Sequence, residues 1–100
     1  MAIMRFEIEL TDEAQADMKA LSAAVRRSVR TALEAHLRNE PRRVSRSRIK
    51  RLTDLAHPQY RLRVADYRVY YNVEGQTVTI HGVVSKAWSN EWLRLEGVQE

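Results

Sequence analysis

From Tyr60 to Val84 the chain repeats with a period of two: β-branched and aromatic residues alternate with polar ones, and arginine supplies many of the polar positions. A period of two belongs to strands with one buried face, so this stretch constrains the fold more than any other. It predicts three strands, Tyr60–Val64, Tyr67–Val73 and Thr77–Val84, joined by tight turns at Ala65-Asp66 and Glu74-Gly75. A two-residue turn at Ala65-Asp66 sets Arg63 opposite Arg68, Leu62 opposite Val69 and Arg61 opposite Tyr70. The same turn at Glu74-Gly75 sets Tyr71 opposite Val78, Val69 opposite Ile80, Tyr70 opposite Thr79 and Arg68 opposite His81. One face then carries Tyr60, Leu62, Val64, Tyr67, Val69, Tyr71, Val73, Val78 and Ile80, the expected core. The other carries Arg61, Arg63, Arg68, Tyr70, Asn72, Thr77, Thr79 and His81.

Two arginines directly across a strand pair repel, at a cost of about 0.2–1 kcal/mol. No acid stands on the facing strand positions to offset it. One reading is a face kept soluble by charge, or paired with an acidic partner. The sharper reading is a face shaped for phosphate, with His81 as a proton-transfer group whose neutral form the arginines favour. His81 as a polar filler of the face is the alternative. His36 lies beside an apolar helical stripe and reads as a partly buried surface residue. His57 precedes Pro58 and reads as part of a loop.

Upstream, residues 3–10 alternate Met4, Phe6, Ile8 and Leu10 with Arg5, Glu7 and Glu9, a half-buried strand. Thr11 is an N-cap followed by Asp12 and Glu13, and Ala14, Met18 and Leu21 keep helical spacing. Ser22 caps a second helix with the stripe Val25, Val29, Leu33 and Leu37; Glu34 and Arg38 form an i,i+4 pair, and Pro41 closes it. Residues 42–51, RRVSRSRIKR, hold six basic residues and no acid, and read as a basic loop anchored by Ile49 and Leu52. It is either a solvated loop or an electrostatic footprint for phosphates, in which Arg46, Arg48, Lys50 and Arg51 bind. Lys86–Leu95 reads as a short helix with Trp88, Trp92 and Leu95 on one side and Gly97 as its C-cap. The expected fold class is α+β: an N-terminal strand, a two-helix hairpin, a three-stranded antiparallel meander and a short C-terminal helix, all in one domain spanning residues 1–100.

A chain of 100 residues with 44% apolar residues can bury a core without staples, and it contains no cysteine. That excludes disulfides and thiolate metal sites and fits a reducing cytoplasm. No run is long enough to span a bilayer, and the charged start does not read as a signal peptide. Three scattered histidines give no metal-ligand spacing, and no glycine-rich phosphate loop is present, so no cofactor is expected. The net charge of +4 is a modest hint of polyanionic partners.

RIKRL (48–52), YRLRVADYRVYYNVEG (60–75) and VTIHGVVSK (78–86), in this order of elements, resemble the RelE/ParE toxins of bacterial type II toxin–antitoxin systems, more on the RelE side. The resemblance covers nearly the whole chain and is strongest in its second half. It implies a small ribosome-dependent mRNA endonuclease that inhibits translation by driving 2′-OH attack on the adjacent phosphate. Arg61, Arg63, Arg68 and Lys86 match the family's basic catalytic positions, with His81 added as the proton-transfer residue. Tyr70 and Trp92 join the RNA-binding set. Trp92 stands where many relatives have a tyrosine; it can stack on a base but cannot move a proton, and packing is its other role. The resemblance further implies a cognate antitoxin with an acidic or partly disordered segment, contact with mRNA and the ribosome, and operator DNA bound only through the antitoxin complex. The alternatives it leaves are a ParE-like DNA gyrase inhibitor without nuclease activity and a degenerate, non-toxic relative.

Overall fold

The computed structural model describes residues 5–99. In chain order it has strand β1 (Glu7–Leu10), helices α1 (Asp12–Ala20) and α2 (Ala23–Leu37), and strands β2 (Ile49–Arg51), β3 (Leu55–His57), β4 (Tyr60–Val64), β5 (Tyr67–Glu74) and β6 (Thr77–Ser85). A 3-10 turn (Lys86–Trp88), helix α3 (Ser89–Glu96) and strand β7 (Val98–Gln99) follow. Five strands form a sheet in the order β1-β6-β5-β4-β2; β1 runs parallel to β6 and the other pairs are antiparallel. The short β3 and β7 pair separately. Met4, expected in the first strand, lies outside the described residues.

The helical hairpin forms as its caps dictate. Thr11 Oγ1 accepts from the Ala14 N–H at 3.1 Å, and Ser22 Oγ accepts from the Val25 N–H at 3.3 Å. Arg26 reaches back from α2 and donates to the carbonyls of Met18, Lys19 and Leu21. The Lys19 and Leu21 carbonyls would otherwise lack partners, while that of Met18 also accepts from the Leu21 N–H. Ala14, Met18, Val29, Leu33 and Leu37 are buried against Leu62, Val69, Tyr71, Val78 and Ile80 in one core. Tyr71 stacks on Tyr60 at 5.3 Å, and its hydroxyl donates to the Pro41 carbonyl at 2.7 Å, tying the end of the helical layer to the sheet.

The first hairpin has the expected register: Arg63 faces Arg68, Leu62 faces Val69 and Arg61 faces Tyr70. The second differs. The turn falls one residue later, at Gly75-Gln76, where Gly75 takes φ +59°, so Glu74 faces Thr77 and Tyr71 faces Ile80. A bulge follows: Tyr70 faces Gly82 and Arg68 faces Val84, leaving His81 as the extra residue. The bulge changes parity. Ile80 and then Val83 point into the main core, while Val84 joins the other face. The later turn already moves Arg68 away from His81, and the bulge, which period-two reasoning cannot see, moves it one residue further to Val84. Tyr67, assigned to the core face, is only half-buried.

Two segments read as loops contain strands. Ile49–Arg51 is the sheet's edge strand, with Lys50 opposite Arg61. Its three residues are too short to show a period amid so many arginines. Leu55–His57 pairs with β7. The tail is a 3-10 turn before a helix, not one continuous helix. That change of winding turns Trp92 and Leu93 to the sheet and leaves Trp88 and Leu95 exposed, against the expected side of Trp88, Trp92 and Leu95. Gly97 closes α3 as expected, its N–H donating to the Leu93 carbonyl.

This segment gives the sheet a second, smaller core. Leu52, Tyr70 and Val84 are buried there, covered by Leu55, Trp92 and Leu93. Gly82 makes the cover possible, because a Cβ at that position would lie 2.5 Å from Trp92 Cζ2 and 2.7 Å from Cε2. The tryptophan ring is itself held against Tyr70 at 4.6 Å, nearly parallel, so it has little room to yield. Gly82→Ala is expected to cost about 1–3 kcal/mol, read as a lower denaturant midpoint and a shifted Trp92 fluorescence. An unchanged midpoint would mean that α3 does not sit against β6 in solution.

Candidate functional site

The outer face of β4 and β5, the edge strand β2 and the chain before it enclose a cavity of about 180 Å³. Its basic lining is Arg46, Arg48, Lys50, Arg61, Arg63 and Arg68, with Ser45 and Ser47 and no acidic residue. Strand pairing places these cations in rows. Arg48 accepts the Arg63 N–H on its carbonyl at 2.8 Å, and Arg63 pairs with Arg68. Lys50 pairs with Arg61 in the next row. The loop is shaped by Ser45, whose Oγ accepts from the backbone N–H groups of Arg48 and Ile49. The ion pairs among the described residues join Glu34 to Arg38, Glu40 to Arg43 and Glu91 to Arg94, and none involves these six cations.

Arg68 is the pivot. It is 7% exposed, and its Nη1 donates to the carbonyls of Ala65 and Tyr67 at 3.0 and 2.9 Å. These bonds fix the guanidinium against the β4–β5 turn, where Ala65 adopts φ +50°. Burial, then the charges of Arg61 and Arg63, pull its pKa below the ordinary arginine value. Arginine stays charged at neutral pH all the same. The site therefore concentrates positive charge, part of it desolvated, with donors left free. That arrangement suits an anion with several oxygens, and a phosphate above all.

The other residues singled out from the sequence lie elsewhere. Arg51 donates to the carbonyls of Leu52 and Gln59, and its guanidinium lies 5.3 Å from the centre of the Tyr60 ring, on the core side of the edge strand. Its odd position relative to Lys50 explains this. Lys86 is exposed on the 3-10 turn, its N–H donating to the Asp66 carbonyl. Tyr70 is fully buried and stacked under the half-buried Trp92, so neither ring is open to a base in this conformation.

His81 lines a different cavity, of about 400 Å³, with Thr11, Glu13, Asp17, His57, Trp92 and Glu96. Its ring meets His57 edge-on at 4.3 Å. Asn72 accepts the Gln59 N–H on Oδ1 and so presents Nδ2 to His57 Nδ1 at 2.8 Å. In this contact the Asn72 amide nitrogen donates and His57 Nδ1 accepts. From the sequence His57 reads only as part of a loop, because its pairing with Asn72 depends on a fold-level juxtaposition. Burial first, and then His57, lower the His81 pKa from 6.5. The folded state thus disfavours the proton. Stability from this group is fully present above the unfolded value and falls as pH drops below about 6.5. His81→Gln should flatten that part of the stability-versus-pH curve, measured by urea denaturation across pH 5–8. An identical slope in the variant would assign the pH dependence to other groups.

The fold of mixed sheet and helical hairpin is shared with a chain of the crystal structure of the RelB-RelE antitoxin-toxin complex from Methanococcus jannaschii. The TM-score is 0.64 and identity is 19%, over 84% of this chain and 96% of that one. The model of the ParE toxin of type II toxin-antitoxin systems (parDE) matches residues 8–87. The chain belongs to that toxin family, within the RelE/ParE superfamily. No curated protein sequence matches it significantly. Among the described residues, no helix is long and apolar enough to cross a membrane, and no cluster of side chains could hold a metal ion.

Proposed function

We propose that this toxin is a ribosome-dependent mRNA endonuclease, whose basic cavity grips the phosphate at the scissile bond. The observation that carries this reading is the convergence of six cations on one acid-free cavity around the buried Arg68. Arg61 and Arg63 bind the backbone on either side, and Arg68 meets the charge that grows on the phosphate oxygens as the 2′-oxygen attacks. Arg46, Arg48 and Lys50 extend the track along the edge strand. No lining residue of this cavity readily takes a proton at neutral pH, and His81 faces another cavity. The protein's share of catalysis is then phosphate positioning and charge stabilisation, and Lys86, exposed and outside the cavity lining, takes no part in gripping the scissile phosphate.

A second reading rests on the family match itself: ParE-type members poison DNA gyrase without cutting RNA, and the matching model is that of ParE. In either case a cognate antitoxin with an acidic segment is the expected partner, covering the arginines. The deciding experiment expresses the wild type and Arg68→Ala in growing bacteria, maps mRNA 5′ ends and assays gyrase supercoiling in parallel. New 5′ ends within codons that depend on Arg68 support the nuclease. Blocked supercoiling with intact mRNA supports the gyrase reading instead.

A further inference from the structure

Tyr70 Oη is the buried side-chain polar atom that lacks a hydrogen-bond partner among the described residues. A phenylalanine would make the same stack on Trp92 without burying an unpaired hydroxyl, so packing alone does not account for a tyrosine here. Its location suggests a use. Tyr70 lies on β5 two residues after Arg68, on the same side of the sheet, and directly across from Arg61. The buried hydroxyl thus sits at the border between the basic cavity and the apolar patch under α3.

The cover over it is held by the packing of Trp92 and Leu93 and by no side-chain cap. The residue before α3, Trp88, makes no side-chain cap, and Ser89 is the helix's one fully buried residue. Leu95 is 59% exposed, and β7 is two residues long. Trp92 provides the ring that lies flat on Tyr70, 4.6 Å away and tilted by 8°. That is the geometry a nucleobase adopts on an aromatic side chain. An incoming base can replace the indole stack for stack, and the phenol gains an acceptor that it lacks in the closed state.

We infer that Tyr70 is a cryptic RNA ligand: when α3 lifts, its ring stacks a base and its hydroxyl donates to a phosphate oxygen beside Arg61 and Arg68. This rests on the reading of the basic cavity as an RNA-phosphate site. The test compares the wild type, Tyr70→Phe and Arg68→Ala for binding of a short labelled oligoadenylate at low salt, with thermal melts of each. Hydrogen exchange over residues 89–99 is followed with and without the RNA. Tyr70→Phe is expected to melt a few degrees higher. It should nevertheless bind about tenfold more weakly. Exchange in the α3 segment should rise when RNA binds. If Tyr70→Phe binds as tightly as the wild type while Arg68→Ala does not, the phosphate site stands and the tyrosine's role is overturned. If Arg68→Ala also binds normally, the phosphate site falls, and this inference with it. A lower melting point for Tyr70→Phe, or unchanged exchange in 89–99, would likewise overturn it.

Discussion

With the toxin acting as the proposed nuclease, Arg68→Ala is expected to lower mRNA cleavage on the ribosome by about 10²–10³-fold and to relieve growth arrest. The size follows from the group's setting. A guanidinium held by two carbonyls needs no reorganisation when the phosphate arrives, and its burial at 7% exposure strengthens its field. Arg68→Lys keeps the charge but loses the planar fork, so its loss should be smaller. Stability should change little, by about 1 kcal/mol, because losing the bonds to Ala65 and Tyr67 is offset by relief of repulsion from Arg61 and Arg63. Thermal melts therefore separate lost chemistry from lost folding. Unchanged cleavage and toxicity in a folded Arg68→Ala protein would remove Arg68 from the site.

Leu62→Ala carries the largest expected effect on stability, about 2–5 kcal/mol. Leu62 is fully buried on β4, between Ile49 on the edge strand β2 and Val69 on the central strand β5. Its removal opens a cavity beneath the helical hairpin that rigid neighbours cannot fill. For a domain of this size each kcal/mol lowers the melting temperature by roughly 4–8 °C. Its neighbours Arg61 and Arg63 stand on the opposite face, so the protein that remains folded should keep its RNA affinity. A midpoint shift in urea with an unchanged slope would verify the stability change. A loss below about 1 kcal/mol would show that this position is not well packed.

Much of this was legible residue by residue. The two helices follow from Thr11 and Ser22 as caps and from the four-residue spacing of Val25, Val29, Leu33 and Leu37. The first hairpin follows from alternation, which needs only local chemistry. The cluster Arg61, Arg63 and Arg68 follows from that register, and Arg46, Arg48 and Lys50 do line the same cavity. The errors share a cause. A turn displaced by one residue and a bulge leave no signature in hydrophobic pattern, and together they take His81 from Arg68 to His57. The second core was missed because α3 and the 52–58 segment form it only by meeting across the sheet, burying Tyr70 and Trp92 together. Arg51 went astray because a three-residue edge strand was taken for a loop, which hid the alternation that turns it from Lys50.

Local pattern was enough for the two helices, for the first hairpin with Leu62 and Val69 turned inward, and for the gathering of Arg61, Arg63 and Arg68. All of these depend on contacts between near neighbours, whose geometry is set by helical or strand periodicity. What stands next to the arginines was set by the assembled sheet. It brought β2 to the sheet's edge to complete the basic cavity, sent His81 to a separate one and laid Trp92 over Tyr70. Those outcomes turn on pairings between residues far apart in the chain and on a single inserted residue in β6. Such pairings are won by the total packing of the sheet's two faces, which local pattern does not record.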